Sequence, residues 1–166
     1  MRHTFETEVA RKAGVETGGV LVGFSDSRLD AFVVTAASGP GPKSRHTRHS
    51  FNRDREFCQA FLDRHASASE GCVDFLGEWH SHPEPDPHPS PTDASTYRAL
   101  AASGEANTPQ PVVLIVGTEP VQRRGRRPTE MYLGVNGFLF QDHGLTQRPI
   151  RWLVDGPYLD LLLGDV

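Results

Sequence analysis

Residues 73–82 read Val-Asp-Phe-Leu-Gly-Glu-Trp-His-Ser-His, a pattern that predicts a β-strand. The strand runs into residues 83–89, where four prolines exclude regular structure because each lacks an amide hydrogen. Residues 90–103 then predict a helix, with Ser90 as its N-cap, a proline at the first helical position and an acid at the third. This stretch predicts a fold in which a helix follows a strand of a sheet.

The segments on either side also alternate between strands and helices. Further strands are predicted over residues 19–24, 31–36, 111–117, 131–141 (a strand pair broken at Gly134 and Gly137) and 147–153. Helices are predicted over residues 6–14, 52–65 and 158–163. The alternation favours an α/β sandwich, in which one mixed β-sheet carries helices on its faces.

The predicted helix over residues 52–65 has the clearest amphipathic pattern. Its apolar face is predicted from residues spaced by three and four, namely Phe57, Ala60, Phe61 and Arg64. Cys58 and Leu62 widen this face. Cys58 is therefore expected in the core, because a free cysteine usually behaves as a small buried hydrophobe.

Length and composition limit the classes of protein to consider. The 166 residues fit one domain, expected to span residues 1–166. A net charge of −4 argues against a nucleic-acid partner, and the arginine run at residues 123–127 is interpreted as a solvated loop. The sequence shows no signal peptide and no stretch of roughly 20 apolar residues that could cross a membrane. Two cysteines are too few for a disulfide scaffold, so a cytoplasmic location with free thiols is expected.

Two histidines at the end of the predicted strand suggest a metal site. His80 and His82 are two residues apart, so their side chains point to the same face of the strand. The proline-rich loop can fold Asp93 back over the strand end, and two imidazoles with one carboxylate are a common catalytic zinc set. Spacing alone leaves another interpretation open, namely surface histidines beside a helix cap, because His46 and His49 form a second close pair.

A water molecule at such a metal needs a base, and two glutamates are candidates. Glu78 lies on the same strand face as the two histidines, so strand spacing alone favours it. Glu16 precedes the first predicted strand, and its place in the fold does not follow from spacing.

These residues resemble the JAMM motif of the MPN-plus metalloproteases. The pattern His-x-His-Pro at residues 80–83 is followed after six residues by Ser90 and after two more by Asp93, which is the spacing of the motif. Residues 16–23, Glu-Thr-Gly-Gly-Val-Leu-Val-Gly, are similar to the segment that carries the catalytic glutamate of that family.

The resemblance implies a fold and a role for each motif residue. The fold would be a single MPN domain, a cytidine-deaminase-like α/β structure with a mixed sheet flanked by helices. His80, His82 and Asp93 would bind Zn²⁺. Glu16 would hold the attacking water and shuttle its proton, and Ser90 would hydrogen-bond the oxyanion of the tetrahedral intermediate.

The sequence of residues 77–90 is similar to that of a bacterial branch of the family, whose members accompany ubiquitin-like E1 and E2 enzymes. That branch includes the deconjugating peptidase of cyclic-oligonucleotide (CBASS-type) anti-phage systems, which removes a C-terminally conjugated nucleotidyltransferase from its targets. The resemblance thus implies an isopeptidase that cleaves after the C-terminal residue of a conjugated protein, with E1- and E2-like enzymes as functional partners. Two other functions stay open: a non-catalytic MPN-type scaffold, and a zinc hydrolase of small amides or peptides.

Overall fold

The computed structural model of the chain describes residues 2–103, 108, 110–120, 131–141 and 144–150. The helices in this part of the chain are α1 (Arg2–Arg11), α2 (Arg55–Ala68) and α3 (Pro91–Ser103). The strands are β1 (Gly18–Asp26), β2 (Ala31–Ala37), β3 (Arg45–His46), β4 (Phe51–Asn52), β5 (Asp74–His82), β6 (Val112–Pro120), β7 (Met131–Gln141) and β8 (Gly144–Arg148).

Six of these strands form one mixed sheet in the order β2-β1-β5-β6-β7-β8. β5 and β6 pair in parallel and are connected through α3, whereas the other neighbours in the described sheet pair antiparallel. β3 and β4 pair with each other in a small separate hairpin. The mixed sheet with accompanying helices that the sequence predicts is therefore confirmed.

Side chains along β5 alternate between the two faces of the sheet. Trp79 is fully buried on one face, where its ring centroid lies 4.5 Å from that of Phe5 in α1 and its indole nitrogen donates to the carbonyl of Ser38. His80 lies on the other face, beside the ring of Tyr97 in α3. One face of β5 thus anchors an apolar core, and the other presents the histidines.

Helix α2 begins three residues later than the sequence predicts. Asp54 is its N-cap, and the Asp54 carboxylate accepts a hydrogen bond from the amide of Phe57 at 3.2 Å. Cys58 is buried as predicted, but Phe57, Ala60 and Arg64 are exposed, so that part of the predicted apolar face was wrong. Successive helical residues differ by about 100° in direction, and the buried stripe follows Cys58 instead of its neighbour Phe57.

The strand pair predicted over residues 131–141 was also wrong, because these residues form the single strand β7. Gly134 pairs with Gly117 and Gly137 with Leu114 inside the ladder, so neither glycine makes a turn. A Cβ atom on Gly137 would come within 3.0 Å of the side chain of Ile150. This glycine therefore makes room for packing.

Smaller differences lie at the two ends of the chain. α1 occupies residues 2–11 instead of 6–14, and Gly14 follows it with a φ of +85°. β8 occupies residues 144–148, where a strand was predicted over 147–153. Residues 151–153, the predicted helix over 158–163 and the arginine run at 123–127 lie outside the described residues. None of the helices in the described part is long and apolar enough to cross a membrane.

Candidate metal centre

Three ligand-type side chains converge where β5 ends and α3 begins. The Nε2 atoms of His80 and His82 lie 3.1 Å apart. The carboxylate of Asp93 places Oδ1 3.3 Å from the Nε2 of His80 and Oδ2 3.5 Å from the Nε2 of His82. One ligand atom from each residue lies within 4.8 Å of the others, so the three could hold one metal ion. This is the convergence that the sequence predicts for these residues.

Each histidine is held by its other ring nitrogen. The Nδ1 of His82 lies 3.0 Å from the backbone carbonyl of Asp86, and the Nδ1 of His80 lies 3.3 Å from the hydroxyl of Tyr97. A carbonyl only accepts, so the Nδ1 of His82 carries a proton, which leaves Nε2 as the nitrogen that can bind a metal. Outer contacts of this kind orient histidines that bind metals.

The carboxylate of Asp93 is ready to act as a negatively charged ligand. Burial opposes its ionisation, but hydrogen bonds with His80 and His82 hold the pKa of Asp93 well below its usual value. The hydrogen bond with Asp93 also raises the pKa of His82. Two imidazole nitrogens and one carboxylate match the donor set of catalytic zinc sites, so the side chains fit this metal.

Ser90 and Asp93 also form a reciprocal helix cap. The amide of Ser90 donates to Oδ2 of Asp93 at 2.7 Å, and the amide of Asp93 donates to Oγ of Ser90 at 3.2 Å. The helix-cap and metal-ligand interpretations of Asp93 are therefore compatible. Since Oγ of Ser90 accepts in this pair, the bond does not use the hydroxyl hydrogen, which can serve as a donor.

Pairing between β1 and β5 brings Glu16 to the same site. Gly18 pairs with His80, and the amide of Ser81 donates to the carbonyl of Thr17 at 2.7 Å, which extends the pairing towards Glu16 and His82. Glu16 is half-buried. Burial raises the pKa of its carboxyl group, while the nearby His80 and His82 lower it. The structure therefore juxtaposes Glu16 with the three converging residues.

The alternative base, Glu78, has a different partner. Its Oε1 lies 2.6 Å from Nη2 of Arg53, and its side chain is buried. It shares the sheet face of His80, as the spacing predicts, but it is engaged in this ion pair. His88, whose ring nitrogen bonds to the carboxylate of Asp86, is exposed on the proline-rich loop.

Two contacts at the site do not follow from the predicted motif. Tyr97 lies one helical turn after Asp93, a spacing that places both side chains on the same side of α3 and could have identified it. The carbonyl of Asp86 gives no signal in the sequence, because any residue carries a carbonyl group.

Comparisons with known proteins place the chain in a family. Residues 2–130 match the family described as prokaryotic homologs of the JAB domain. The solved solution structure of a protein from Desulfitobacterium hafniense shares the fold with a TM-score of 0.53 at 18% identity, over 89% of this chain and 84% of that chain.

The curated relatives carry enzyme names. A probable metalloprotease of Sinorhizobium fredii is 35% identical over 66% of this chain and 66% of its own length. Proteins named CD-NTase/cGAS isopeptidase from Enterobacter hormaechei and Vibrio cholerae are 36% and 35% identical, over 66% and 61% of this chain and 59% and 62% of their own lengths. The chain thus spans 59–66% of the length of these three relatives. The family match over residues 2–130 confirms the resemblance seen in the sequence, and the chain belongs to the prokaryotic homologs of the JAB domain.

Proposed function

We propose that the chain is a zinc-dependent hydrolase of isopeptide or peptide bonds. The observation that carries the proposal is the convergence of the Nε2 atoms of His80 and His82 with the carboxylate of Asp93. These three residues would hold Zn²⁺ and leave a further position open to water, as in catalytic zinc sites. When bound, the metal would polarise the scissile carbonyl and lower the pKa of a water molecule to about 7.

Glu16 has the position and environment of a general base and acid. It precedes β1 at the end that pairs with His80, close enough to His80 and His82 for their charges to act on it, and burial raises the pKa of its carboxyl group, which makes it a better proton acceptor. It would take a proton from the attacking water and deliver it to the leaving amine as the C–N bond breaks. A positioned general base typically contributes about 10²- to 10⁴-fold in rate.

Ser90 would stabilise the developing negative charge on the substrate. Its oxygen accepts from the amide of Asp93, so its hydroxyl hydrogen can donate to an oxyanion beside the metal ligands. Such a donor is typically worth about 10²- to 10³-fold in rate. The same bond fixes Ser90 at the start of α3, next to Asp93.

For the substrate, we favour a protein conjugate joined through its C-terminal carboxyl group to a lysine. The names of the relatives support this choice, because the Enterobacter hormaechei and Vibrio cholerae proteins are named as isopeptidases of CD-NTase/cGAS. A nucleotidyltransferase conjugate of an anti-phage system would be the substrate, and E1- and E2-like enzymes in the cytoplasm would form it.

The test compares cleavage of three substrates by the zinc-loaded protein. The first is a CD-NTase whose C-terminal carboxyl group is joined to a lysine of a reporter protein. The second is a linear fusion of the two, and the third is a set of small amides. The variants are Glu16→Gln and, as a matched control, Glu56→Gln, which changes an exposed glutamate paired with Lys43.

We expect the wild-type protein and Glu56→Gln to cleave the conjugate. Glu16→Gln should bind the same amount of zinc and cleave at least about 10²-fold more slowly. Full activity in Glu16→Gln would refute the role of that residue. Cleavage of small amides alone would favour the broader amide hydrolase, and a protein without stoichiometric metal or cleavage would be a scaffold.

A further inference from the structure

We propose that His46, which lies outside the family motif, is a positioning residue that fixes the backbone of Glu16 for catalysis. The proposal rests on the role proposed above for Glu16. In the sequence, His46 stands out only because it forms a second close histidine pair with His49. The proposed role of His46 follows from its position in the β3–β4 hairpin.

The backbone of Glu16 is bonded on both sides by consecutive residues of this hairpin. The Nδ1 of His46 lies 2.8 Å from the carbonyl oxygen of Glu16. Since the carbonyl only accepts, Nδ1 is the donor. The amide of Glu16 donates to the carbonyl of Thr47, also at 2.8 Å. The two bonds fix the peptide groups on either side of the Glu16 Cα, from which the catalytic side chain extends.

The imidazole of His46 is itself held on its other side. Its Nε2 lies 2.8 Å from Oγ of Ser44, which in turn lies 2.6 Å from the carbonyl oxygen of Gly41. One face of the ring stacks on Phe51, with an angle of 13° between the ring planes. Phe51 packs against Gly18, where any side chain would collide with the ring. The orientation of His46 is therefore determined by contacts at both nitrogens and on one face.

These contacts connect His46 to the start of α2. The carboxylate of Asp54, the N-cap of α2, accepts from the amide of Lys43, and the amide of Asp54 donates to the carbonyl of Pro40. Gly41 has a φ of +86°, and a Cβ atom there would lie 2.5 Å from Cβ of Asp54. The loop that carries Ser44 is thus packed directly on the helix end and gives His46 a rigid support.

Such support matters because Glu16 lies two residues before the first residue of β1. Fixing its backbone fixes the origin of its side chain relative to His80 and His82. A displacement of about 1 Å in a catalytic group can cost about 10²-fold in rate. Loss of the His46 bond should therefore lower kcat without removing any group that binds metal or substrate.

The test uses three substitutions that separate the donor from the ring. In His46→Asn, the side-chain amide can occupy the position of Nδ1 and donate to Glu16. In His46→Gln, the longer side chain places its amide near the position of Nε2. In His46→Phe, a ring remains to stack on Phe51 but the donor is lost.

We expect His46→Phe and His46→Gln to lower kcat on the CD-NTase conjugate about 10- to 100-fold, with KM and zinc content unchanged. His46→Asn should recover most of this loss. Adding His46→Phe to Glu16→Gln should cause no further fall, because the effect acts through Glu16. Equal losses in all three variants, or an additional loss in the double variant, would overturn the proposal.

A second readout does not need a substrate. Hydrogen–deuterium exchange of the Glu16 amide, which donates to Thr47, should accelerate in His46→Phe and His46→Gln but not in His46→Asn. The amide of Ser38, which donates to Val20 elsewhere in the sheet, is the control and should keep its wild-type rate. Unchanged exchange at Glu16 overturns the positioning role. If exchange behaves as expected but wild-type protein cleaves none of the substrates, only the proposed function fails.

Discussion

The hydroxyl of Tyr97 lies 3.3 Å from the Nδ1 of His80, and the tyrosine is buried. Burial raises the pKa of Tyr97 well above its ordinary value, so the side chain stays a neutral phenol. If the Nε2 of His80 binds a metal, its Nδ1 carries the proton and the phenol oxygen accepts it. At the residue scale, this contact should therefore orient the histidine and favour its metal-binding tautomer.

Replacing Tyr97 with phenylalanine should weaken zinc binding about 10- to 100-fold, because it removes this acceptor and leaves the ring in the core. Competition with a chromophoric chelator measures the change in Kd. The matched control is Thr96→Val, which removes a neighbouring hydroxyl that donates to the carbonyl of Thr92 within α3. An unchanged zinc affinity in Tyr97→Phe would show that the hydroxyl does not orient His80.

The metal-free protein should show a second residue-scale effect, in its stability. The folded state lowers the pKa of Asp93 from its ordinary 3.8 and raises that of His82 from its ordinary 6.5. A lowered carboxyl pKa stabilises the fold above pH 3.8, and this contribution is lost as the pH falls below it. A raised histidine pKa stabilises the fold below pH 6.5, and this contribution is lost as the pH rises through the raised value.

The stabilisation from this pair should therefore be largest between about pH 3.8 and 6.5. Urea unfolding of wild-type and Asp93→Asn proteins from below pH 3.8 to above pH 6.5, with a chelator present, gives the difference in free energy of unfolding. We expect the difference to shrink on both sides of the window. A difference independent of pH would mean that the pair is not ionised in the folded protein.

At the element scale, the proline-rich loop is held against the end of β6. The amide of Thr118 donates to the carbonyl of Glu84, and the hydroxyl of Thr118 donates to the carbonyl of His82. Gly117 allows the close approach, because a Cβ atom there would lie 2.4 Å from the carbonyl oxygen of Pro85. In this loop conformation the carbonyl of Asp86 lies next to the ring of His82. The contacts with β6 therefore support the position of His82 indirectly.

Gly117→Ala should displace this loop, reduce the free energy of unfolding by about 1–3 kcal/mol and weaken zinc binding. Thermal unfolding and zinc titration measure the two effects. Gly134→Ala is the control, since Gly134 pairs with Gly117 but, among the residues that the structure describes, its added Cβ would meet just Cγ of Pro87, at an ordinary 3.8 Å. Equal effects of both substitutions would argue against the close backbone approach at Gly117.

The same elements show what could be predicted from sequence. β5 and α3 begin and end within one residue of their predicted bounds, because a run of prolines separates them and Ser90 caps the helix. The two-residue strands β3 and β4 were missed, since they are too short to show any periodicity. They carry His46, so its contact with Glu16 could not be predicted either.

At the scale of the whole molecule, the site depends on contacts between segments far apart in sequence. Antiparallel pairing of β1 with β5 brings Glu16 near His82, although 66 positions separate them. Strand spacing alone favoured Glu78, because spacing shows which residues of one strand share a face. It cannot show that Glu78 forms an ion pair with Arg53. The identity of the three converging residues was predictable from the motif, whereas the supporting contacts of Tyr97, Asp86 and His46 depend on tertiary packing.

The two faces of β5 have different roles. Trp79 and Phe5 pack in the apolar core on one face, and His80 contacts Tyr97 on the other. Because the histidines project from a strand inside the sheet, the backbone of His80 is held by β1 on one side and β6 on the other, and that of His82 pairs with β6. The fold thus provides a rigid base for ligands that must keep a defined geometry.

We expect two imidazoles and one carboxylate to bind a single divalent ion. Anomalous diffraction at the zinc edge, from crystals of the zinc-loaded protein, would locate that ion. It should show one strong peak per chain, bonded to the Nε2 atoms of His80 and His82 and to the carboxylate of Asp93. A zinc-saturated crystal with no peak there, or with these side chains turned away from one another, would contradict this expectation.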